Sequence, residues 1–377
     1  MKRVAIVVSN PLTVKAFLLD QIAALSQKYQ ICVVLNIQNG EILANLGPLV
    51  EVVNAPIVRK PSIARDLRAL LFLVSLFRSR KFDVVHSVTP KAGLLTVIAG
   101  AIARIPVRIH MFTGQVWATK SGLPRLMLKA IDTLLASLAT HILVDSPSQR
   151  AFLLRERVLS KSKSRVLANG SICGVDSSRF RPDRGLRDKV RRREGIPEDG
   201  VVFLNLGRLR RDKGVLDLAL AFARVGKVYP EAWLLVVGPD EECLRPRMEQ
   251  ICSKVDSRLR FIGHTDMPQE YMAAADVLCV PSYREGFGSV IIEAASAGIP
   301  AVASNIYGIT DAIEPSATAC LHPPRDVDAL QSNIKQMIDD PVRRLDLGRK
   351  AQLRAHQLFA QELVTAAMMD FYELVVT

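Results

Sequence analysis

The residues best suited to chemistry lie in the second half of the sequence. Pro281-Ser282-Tyr283-Arg284-Glu285-Gly286-Phe287-Gly288-Ser289 runs into Val290-Ile291-Ile292-Glu293-Ala294. The segment follows the apolar run Val277–Val280 and leads into a helical pattern over Val290–Ala297. The amides of Gly286, Phe287, Gly288 and Ser289 therefore fall at a helix start, where unpaired N–H groups and the helix dipole favour a phosphate. Glu285 and Glu293 are eight positions apart, about 12 Å along a helix axis at about 1.5 Å per residue. That span suits a sugar, a diphosphate and a ribose in line, with a carboxylate accepting hydroxyl hydrogen bonds at each end.

A second loop supplies cations. Gly207-Arg208-Leu209-Arg210-Arg211-Asp212-Lys213-Gly214 follows the apolar run Val201–Leu206 and precedes another helical pattern. When a bond to a diphosphate breaks, negative charge grows on the leaving group. Fixed cations aimed there favour the transition state over the ground state. Arg208 offers a planar fork and Lys213 a point charge, and both match phosphate.

These loops need a scaffold that presents strand ends. Short apolar runs alternate with amphipathic helical patterns along the chain, among them Thr13–Lys28, Leu123–Ala139 and Leu216–Val228. The alternation predicts α/β architecture with parallel, doubly wound sheets, whose ligands bind beyond the carboxyl ends of the strands. A chain of 377 residues suits two such domains. The stretch Asn169–Gly200 breaks the rhythm and reads as the linker plus the entry to the second domain, with Arg191-Arg192-Arg193 on a solvated helix face.

Composition removes several classes. Six cysteines are scattered without a C-x-x-C pair, which argues against a zinc site or a disulfide framework. Aromatic residues make up 6 %, too few for single-strand stacking platforms. The dinucleotide fingerprint and the Walker pattern are absent, since Gly286-Phe287-Gly288 lacks a third glycine. No apolar stretch reaches bilayer-spanning length, and Val4–Val8 is short for a signal peptide. Charge is uneven: residues 1–180 hold 24 Lys/Arg against 9 Asp/Glu (+15), and residues 181–377 hold 26 against 28 (−2). The first half thus attracts anions, and without a nucleic-acid recognition motif an anionic membrane is the expected partner.

Together these motifs resemble family 4 of the retaining glycosyltransferases, and specifically its members acting on bacterial envelope polysaccharides and lipid-linked oligosaccharides. The likeness spans nearly the whole chain. It includes Gly170, Gly174-Val175-Asp176 with Phe180, Gly207-Arg208 with Lys213-Gly214, Glu285 with Glu293, and Gly298 with Pro300. It implies the GT-B fold: two doubly wound, Rossmann-like domains facing a cleft. The implied organisation is an acceptor-binding domain over 1–180, a nucleotide-sugar-binding domain over 181–360, and a C-terminal helix within 361–377 that crosses back to the first domain. The family's roles place the donor diphosphate on Arg208 and Lys213, the ribose on Glu293 and the transferred sugar on Glu285. They imply a UDP-linked hexose or N-acetylhexosamine, a polyprenyl-diphosphate-linked saccharide acceptor, no metal and no cofactor. A peripheral place on the cytoplasmic face of the plasma membrane follows from the same likeness. The chain departs from the family's Gly-Gly after Ala301–Ser304, keeping only Gly308, and has Ala319 where a glycine is usual. A sugar-nucleotide epimerase of related fold is the competing reading; it would need no acceptor.

The first half offers weaker candidates. A catalytic histidine near the donor sugar maps to His110 or leaves Thr113-Gly114 in its place. Acceptor contacts fall on Asn10 and Thr13 after the first strand, on His86 and Lys91 around the run Val84–His86, and on Thr113. Arg59-Lys60-Pro61-Ser62 precedes a helix with basic flanks and an apolar centre, running through Arg65 and Arg68 to Lys81, which suits an anionic membrane interface.

Overall fold

The computed structural model describes residues 1–37, 46, 50–58 and 62–376. Two compact units emerge: Met1–Cys173 with Glu362–Thr377, and Gly174–Gln361.

In the first unit the described strands are β1 (Arg3–Val7), β2 (Gln30–Leu35), β3 (Glu51–Asn54), β4 (Val84–Val88), β5 (Val107–Phe112), β6 (His141–Val144) and β7 (Ser164–Arg165). They pair in parallel in the order β3-β2-β1-β4-β5-β6-β7. Successive side chains point to opposite faces, so one strand feeds two cores. Val4 and Ile6 join Ile31, Val33 and, from the helix Gln361–Val375, Met368 and Tyr372. Ala5 and Val7 join Leu73 and Phe77 of the helix Ile63–Arg80. Burial on both faces explains why these strands read as unbroken apolar runs.

The second unit repeats the plan. Its described strands are β8 (Val201–Leu206), β9 (Ala232–Val237), β10 (Leu259–Ile262), β11 (Val277–Val280), β12 (Ala301–Ser304) and β13 (Ala319–His322), parallel in the order β10-β9-β8-β11-β12-β13. Val202 and Leu204 face a core that includes Phe180, Val190 and Phe359. Val201 and Phe203 face Leu218 and Phe222 of the helix Val215–Val225.

Strand order reverses between β1 and β4 in one unit and between β8 and β11 in the other. Helices leave to opposite sides of the sheet at such a point and open a crevice for ligand. The two chemistry-bearing loops of the second unit follow β8 and β11, so both flank its crevice.

Several expectations need correction. The helix expected over Thr13–Lys28 is two helices, Pro11–Phe17 and Leu19–Ser26, broken at Leu18. The strand β3 went unrecognised because its mostly exposed Glu-Val-Val-Asn carries no apolar run. The helix expected around Arg191 spans Arg184–Glu194, capped by Asp183 and closed by Gly195. Arg59, Lys60 and Pro61 of the expected interfacial segment lie outside the described residues.

Arg191 is not solvated but only 4 % exposed. It donates to Asp276 at 2.7 Å, as does Arg187, and to the carbonyls of Ala274 and Gly200. Asp276 also accepts the Val202 amide at 2.7 Å and so ties this helix to the sheet beside β8 and β11. Burial lowers the Arg191 pKa, and Asp276 offsets this only in part. Removing one member of a buried pair strands the other's charge. Asp276→Ala is therefore expected to cost about 3–5 kcal/mol of stability in urea unfolding. A cost below about 1 kcal/mol would show that water reaches Arg191 freely.

Candidate functional site

The loop after β8 and the loop after β11 are joined at several points. Lys213 Nζ donates to Glu285 Oε1 at 2.6 Å, and Ser282 Oγ donates to the same oxygen at 2.8 Å. Both charged side chains are largely buried, 23 % and 16 % exposed, so their attraction is screened less than a surface pair's. Arg284 donates to Asp212 Oδ2 at 2.7 Å, and the Tyr283 amide donates to the Asp212 carbonyl at 2.9 Å. Tyr283 Oη donates to Asp217 at 2.7 Å, while the Arg325 guanidinium lies 4.8 Å from the tyrosine ring centroid. Burial and the Asp217 hydrogen bond push the Tyr283 phenol upward. Beneath them Asn205 Nδ2 donates to the Cys279 carbonyl at 3.0 Å, bridging β8 to β11.

Two glycines make this closeness possible. A Cβ on Gly214, at φ +66°, would sit 2.0 Å from the Pro281 carbonyl oxygen. A Cβ on Gly308, at φ +83°, would sit 2.5 Å from the Gly286 carbonyl oxygen. Other residues rarely adopt this backbone region and have no room here. Gly308 is thus the position that lets the Glu285 loop seat.

Arg208 stands apart from the Lys213–Glu285 pair. Its Nη1 donates to Glu241 Oε2 at 3.2 Å, and Arg210 Nη1 reaches the same oxygen at 3.2 Å. Arg210 Nε also donates to Asp212 Oδ1 at 3.1 Å, which makes a charge chain from Glu241 to Arg284. The sequence reading missed Glu241, Asp212 and Asp217. Asp212 stood inside the quoted loop, and its position between Arg211 and Lys213 was the available signal.

The helix Ser289–Ser296 begins at Gly288, and no side chain caps it. Its first amides are the orphan donors that suit an anion. Phe287 points away, 2 % exposed and packed on Phe359 with centroids 5.2 Å apart, so only its backbone can meet a ligand. Glu293 lies one turn into the helix. Burial raises its carboxyl from the ordinary 4.5 to about 7, a shift that Arg179 partly offsets. Its backbone carbonyl accepts the Ala297 amide at 3.2 Å, while among the described residues its carboxylate makes no hydrogen bond or ion pair. An acceptor-rich group of this kind suits a diol.

In the first unit the candidates fall into two groups. At the crevice between β1 and β4, Asn10 caps the helix Pro11–Phe17 by accepting from the Thr13 amide at 3.0 Å and from Thr13 Oγ1 at 3.3 Å. Thr89 Oγ1 donates to Ser9 Oγ at 3.4 Å, so the loops after β1 and β4 meet through hydroxyls. Lys91 pairs with Asp66. Thr113 is half-buried just past β5.

The histidines form the other group. His110 is 1 % exposed, bonded to Ser87 Oγ at 2.9 Å and edge-on to Phe112. Its Cε1 stands where a Cβ on Gly93 would be, at 2.3 Å. Burial, then His86, push its pKa to about 3. His86 is 2 % exposed, bonds the Tyr372 hydroxyl at 2.8 Å and is pushed by burial to about 4. Both rings are thus buried and hydrogen-bonded to neighbouring side chains. Asp145, just past β6, was not anticipated; it is 4 % exposed and burial raises its carboxyl to about 8. Among the described residues no cluster of three or more His, Cys, Asp or Glu side chains could hold a metal.

Two family models match the chain. "Glycosyl transferases group 1" covers residues 187–354, and "Glycosyl transferase 4-like domain" covers residues 18–170. The chain is 27 % identical to the Staphylococcus aureus capsular polysaccharide biosynthesis glycosyltransferase CapM, over 84 % of this chain and 83 % of that one. It is 26 % identical to the Escherichia coli UDP-Gal:alpha-D-GlcNAc-diphosphoundecaprenol alpha-1,3-galactosyltransferase, over 75 % and 73 %. It is 31 % identical to the D-inositol 3-phosphate glycosyltransferase of Kribbella flavida, over 81 % and 74 %. In fold it matches the Thermosynechococcus elongatus sucrose-phosphate synthase with a TM-score of 0.84, at 22 % identity, over 100 % of this chain and 99 % of that one.

The raised Glu293 carboxyl has a measurable consequence. Its folded form keeps a proton at pH values where the unfolded chain has lost it, so its contribution to stability falls as pH climbs from about 5 to above 7. Relative to the parent, Glu293→Gln is expected to gain stability between pH 5 and pH 8 in denaturant titrations. A difference independent of pH would mean the carboxyl titrates normally.

Proposed function

The chain belongs to the GT-B glycosyltransferases of the family 4 type, and from that premise we propose a donor, an acceptor class and a division of labour for it. The donor is a UDP-linked hexose or N-acetylhexosamine. The acceptor is a saccharide carried on a polyprenyl diphosphate, in the assembly of envelope polysaccharide at the cytoplasmic face of the plasma membrane. The UDP-galactose and diphosphoundecaprenol in the name of the Escherichia coli relative, and the capsular role in that of the Staphylococcus aureus one, support this choice.

The observation that carries the reading is the 2.6 Å contact between Lys213 and Glu285 across the β8–β11 crevice. A cation and a carboxylate are already side by side where a diphosphate and a sugar would meet. The incoming diphosphate draws Lys213 toward its oxygens, and Glu285 is freed to accept sugar hydroxyls. Arg208 exchanges Glu241 for the same diphosphate. The uncapped start of the helix at Ser289 supplies amide donors past Gly286 and Gly288, and Glu293 takes the ribose diol.

As the glycosidic bond to the diphosphate breaks, charge moves onto the leaving oxygens. Lys213, Arg208 and the helix start then bind more strongly than in the ground state, which lowers the barrier. The sugar hydroxyls held by Glu285 keep the anomeric carbon over one face. The acceptor hydroxyl approaches from the leaving-group side, and the departing phosphate oxygen takes its proton. Configuration is retained, with no protein nucleophile. On the acceptor side, the hydroxyls of Ser9, Thr13 and Thr89 and the Asn10 amide, with Lys91 and Thr113, bind the sugar and its phosphate.

Lys213→Ala is expected to lower kcat/KM about 10²–10³-fold, the range for one removed oxyanion donor, with unfolding unchanged. Arg208→Ala should behave likewise. Full activity in either folded variant would remove the leaving-group role. Glu285→Gln should lose turnover, and intact-protein mass spectrometry of the parent with donor alone should show no added sugar. A covalent glycosyl adduct would replace front-face transfer by double displacement.

A further inference from the structure

The loops after β8 and β9 are zipped together by backbone. The Leu209 amide donates to the Pro239 carbonyl at 2.9 Å, and the Glu241 amide donates back to the Leu209 carbonyl at 3.3 Å. Gly238, at φ +138°, lets the two loops approach: a Cβ there would sit 1.9 Å from the Gly207 carbonyl oxygen. The Asp240 carboxylate accepts the amides of Leu244 and Arg245, each at 2.9 Å, and fixes the turn that carries Glu241. Residues 208 and 241 are therefore held near one another whatever their side chains do.

The side-chain charges across this zipper are unequally shared. Glu241 Oε2 accepts from Arg208 Nη1 and from Arg210 Nη1, both at 3.2 Å. That is long for a charge-assisted bond, which runs about 2.7–2.9 Å. Arg210 has further acids, Asp212 at 3.1 Å and Glu242 at 3.6 Å. The Arg208 side chain is 39 % exposed and, among the described residues, makes no ion pair except that with Glu241. When Arg208 swings to another anion, Glu241 keeps Arg210, so no carboxylate is stranded without a cation. One cation of the three-membered cluster is thus anchored, and the other can leave at small cost, because a half-exposed pair contributes little.

We propose that Glu241 is a positioning residue that competes with the nucleotide's diphosphate for Arg208, and that its recapture of Arg208 helps expel the nucleoside diphosphate after transfer. The inference rests on the reading above that Arg208 binds the donor diphosphate. Charge gives the competition a direction. The donor diphosphate is esterified at both ends. The nucleoside diphosphate that leaves has a free terminal phosphate, which ionises a second time at about pH 6 and so carries more charge. Cations that stabilise the leaving group therefore hold the product more tightly than the donor. A carboxylate beside Arg208 opposes both, and opposes the product more, because Coulomb repulsion scales with the charge it meets. Glutamine at this position would keep an acceptor for Arg208 and remove the competing charge.

The test is calorimetric titration of UDP into the full chain and into Glu241→Gln, Arg208→Met and the double variant, at low and high salt. Glu241→Gln should bind UDP about three- to fivefold more tightly at low salt, the upper range for an exposed pair, and the gain should shrink at high salt. UDP-galactose, whose diphosphate has no free terminus, should gain less. In the Arg208→Met background the same substitution should change UDP binding less than about twofold. Thermal unfolding should match the parent's, since backbone bonds hold both loops, and Glu241→Ala should shift UDP binding in the same direction as Glu241→Gln. Weaker UDP binding by Glu241→Gln would mean that the carboxylate aims Arg208 for the phosphate, and an equal gain with and without Arg208 would reduce Glu241 to background charge. Either result overturns the proposal, as does unchanged binding. A parent that binds no UDP would sink the donor reading and the proposal together, whereas UDP binding indifferent to Glu241 sinks the proposal alone.

Discussion

The second unit is organised around one electrostatic contact, the Lys213–Glu285 pair at the point where the sheet changes direction. Neither residue is placed by its own loop alone. Gly214 must be glycine for the β8 loop to reach Pro281, and Gly308 must be glycine for the β11 loop to seat. Asp212 and Arg284 then lock the two loops side by side. A buried cation and carboxylate held this way cost desolvation and return little net stability. Their value lies in being pre-placed: a ligand with opposite needs at its two ends can take over both partners without rearranging the backbone.

The same economy shapes the first unit. At its own switch point the loops carry hydroxyls and an amide, and no comparable ion pair there joins one loop to the other among the described residues. Such groups tolerate many sugar hydroxyl patterns. The unit's excess charge is carried on its helices, next to exposed leucines.

Much of this was legible in sequence, for physical reasons. Buried parallel strands need unbroken apolar runs, so β1, β2, β8, β9 and β11 announced themselves. The loops with Lys213 and Glu285 followed such runs, so their place at strand ends could be inferred. Partners were not legible. Nothing in the Arg191-Arg192-Arg193 run tells that Arg191 turns inward to Asp276, eighty-five positions away in the chain. His110 stands one residue from the centre of a strand, and only tertiary structure reveals that Gly93 and Ser87 wall it in. The edge strand β3 lacked the apolar signal because one of its sides is open to solvent. The helix at 122–138 reads as amphipathic, and its sequence does not tell that Leu123, Leu126 and Met127 face solvent.

The central claim is that Lys213 and Glu285 act as one unit on the donor. A double-mutant cycle on kcat/KM, with Lys213→Met, Glu285→Gln and the two combined, measures this most directly. The account predicts strong non-additivity, with the double variant scarcely slower than the worse single one. Losses that simply multiply would mean that the two residues work independently, and that their contact is incidental to catalysis.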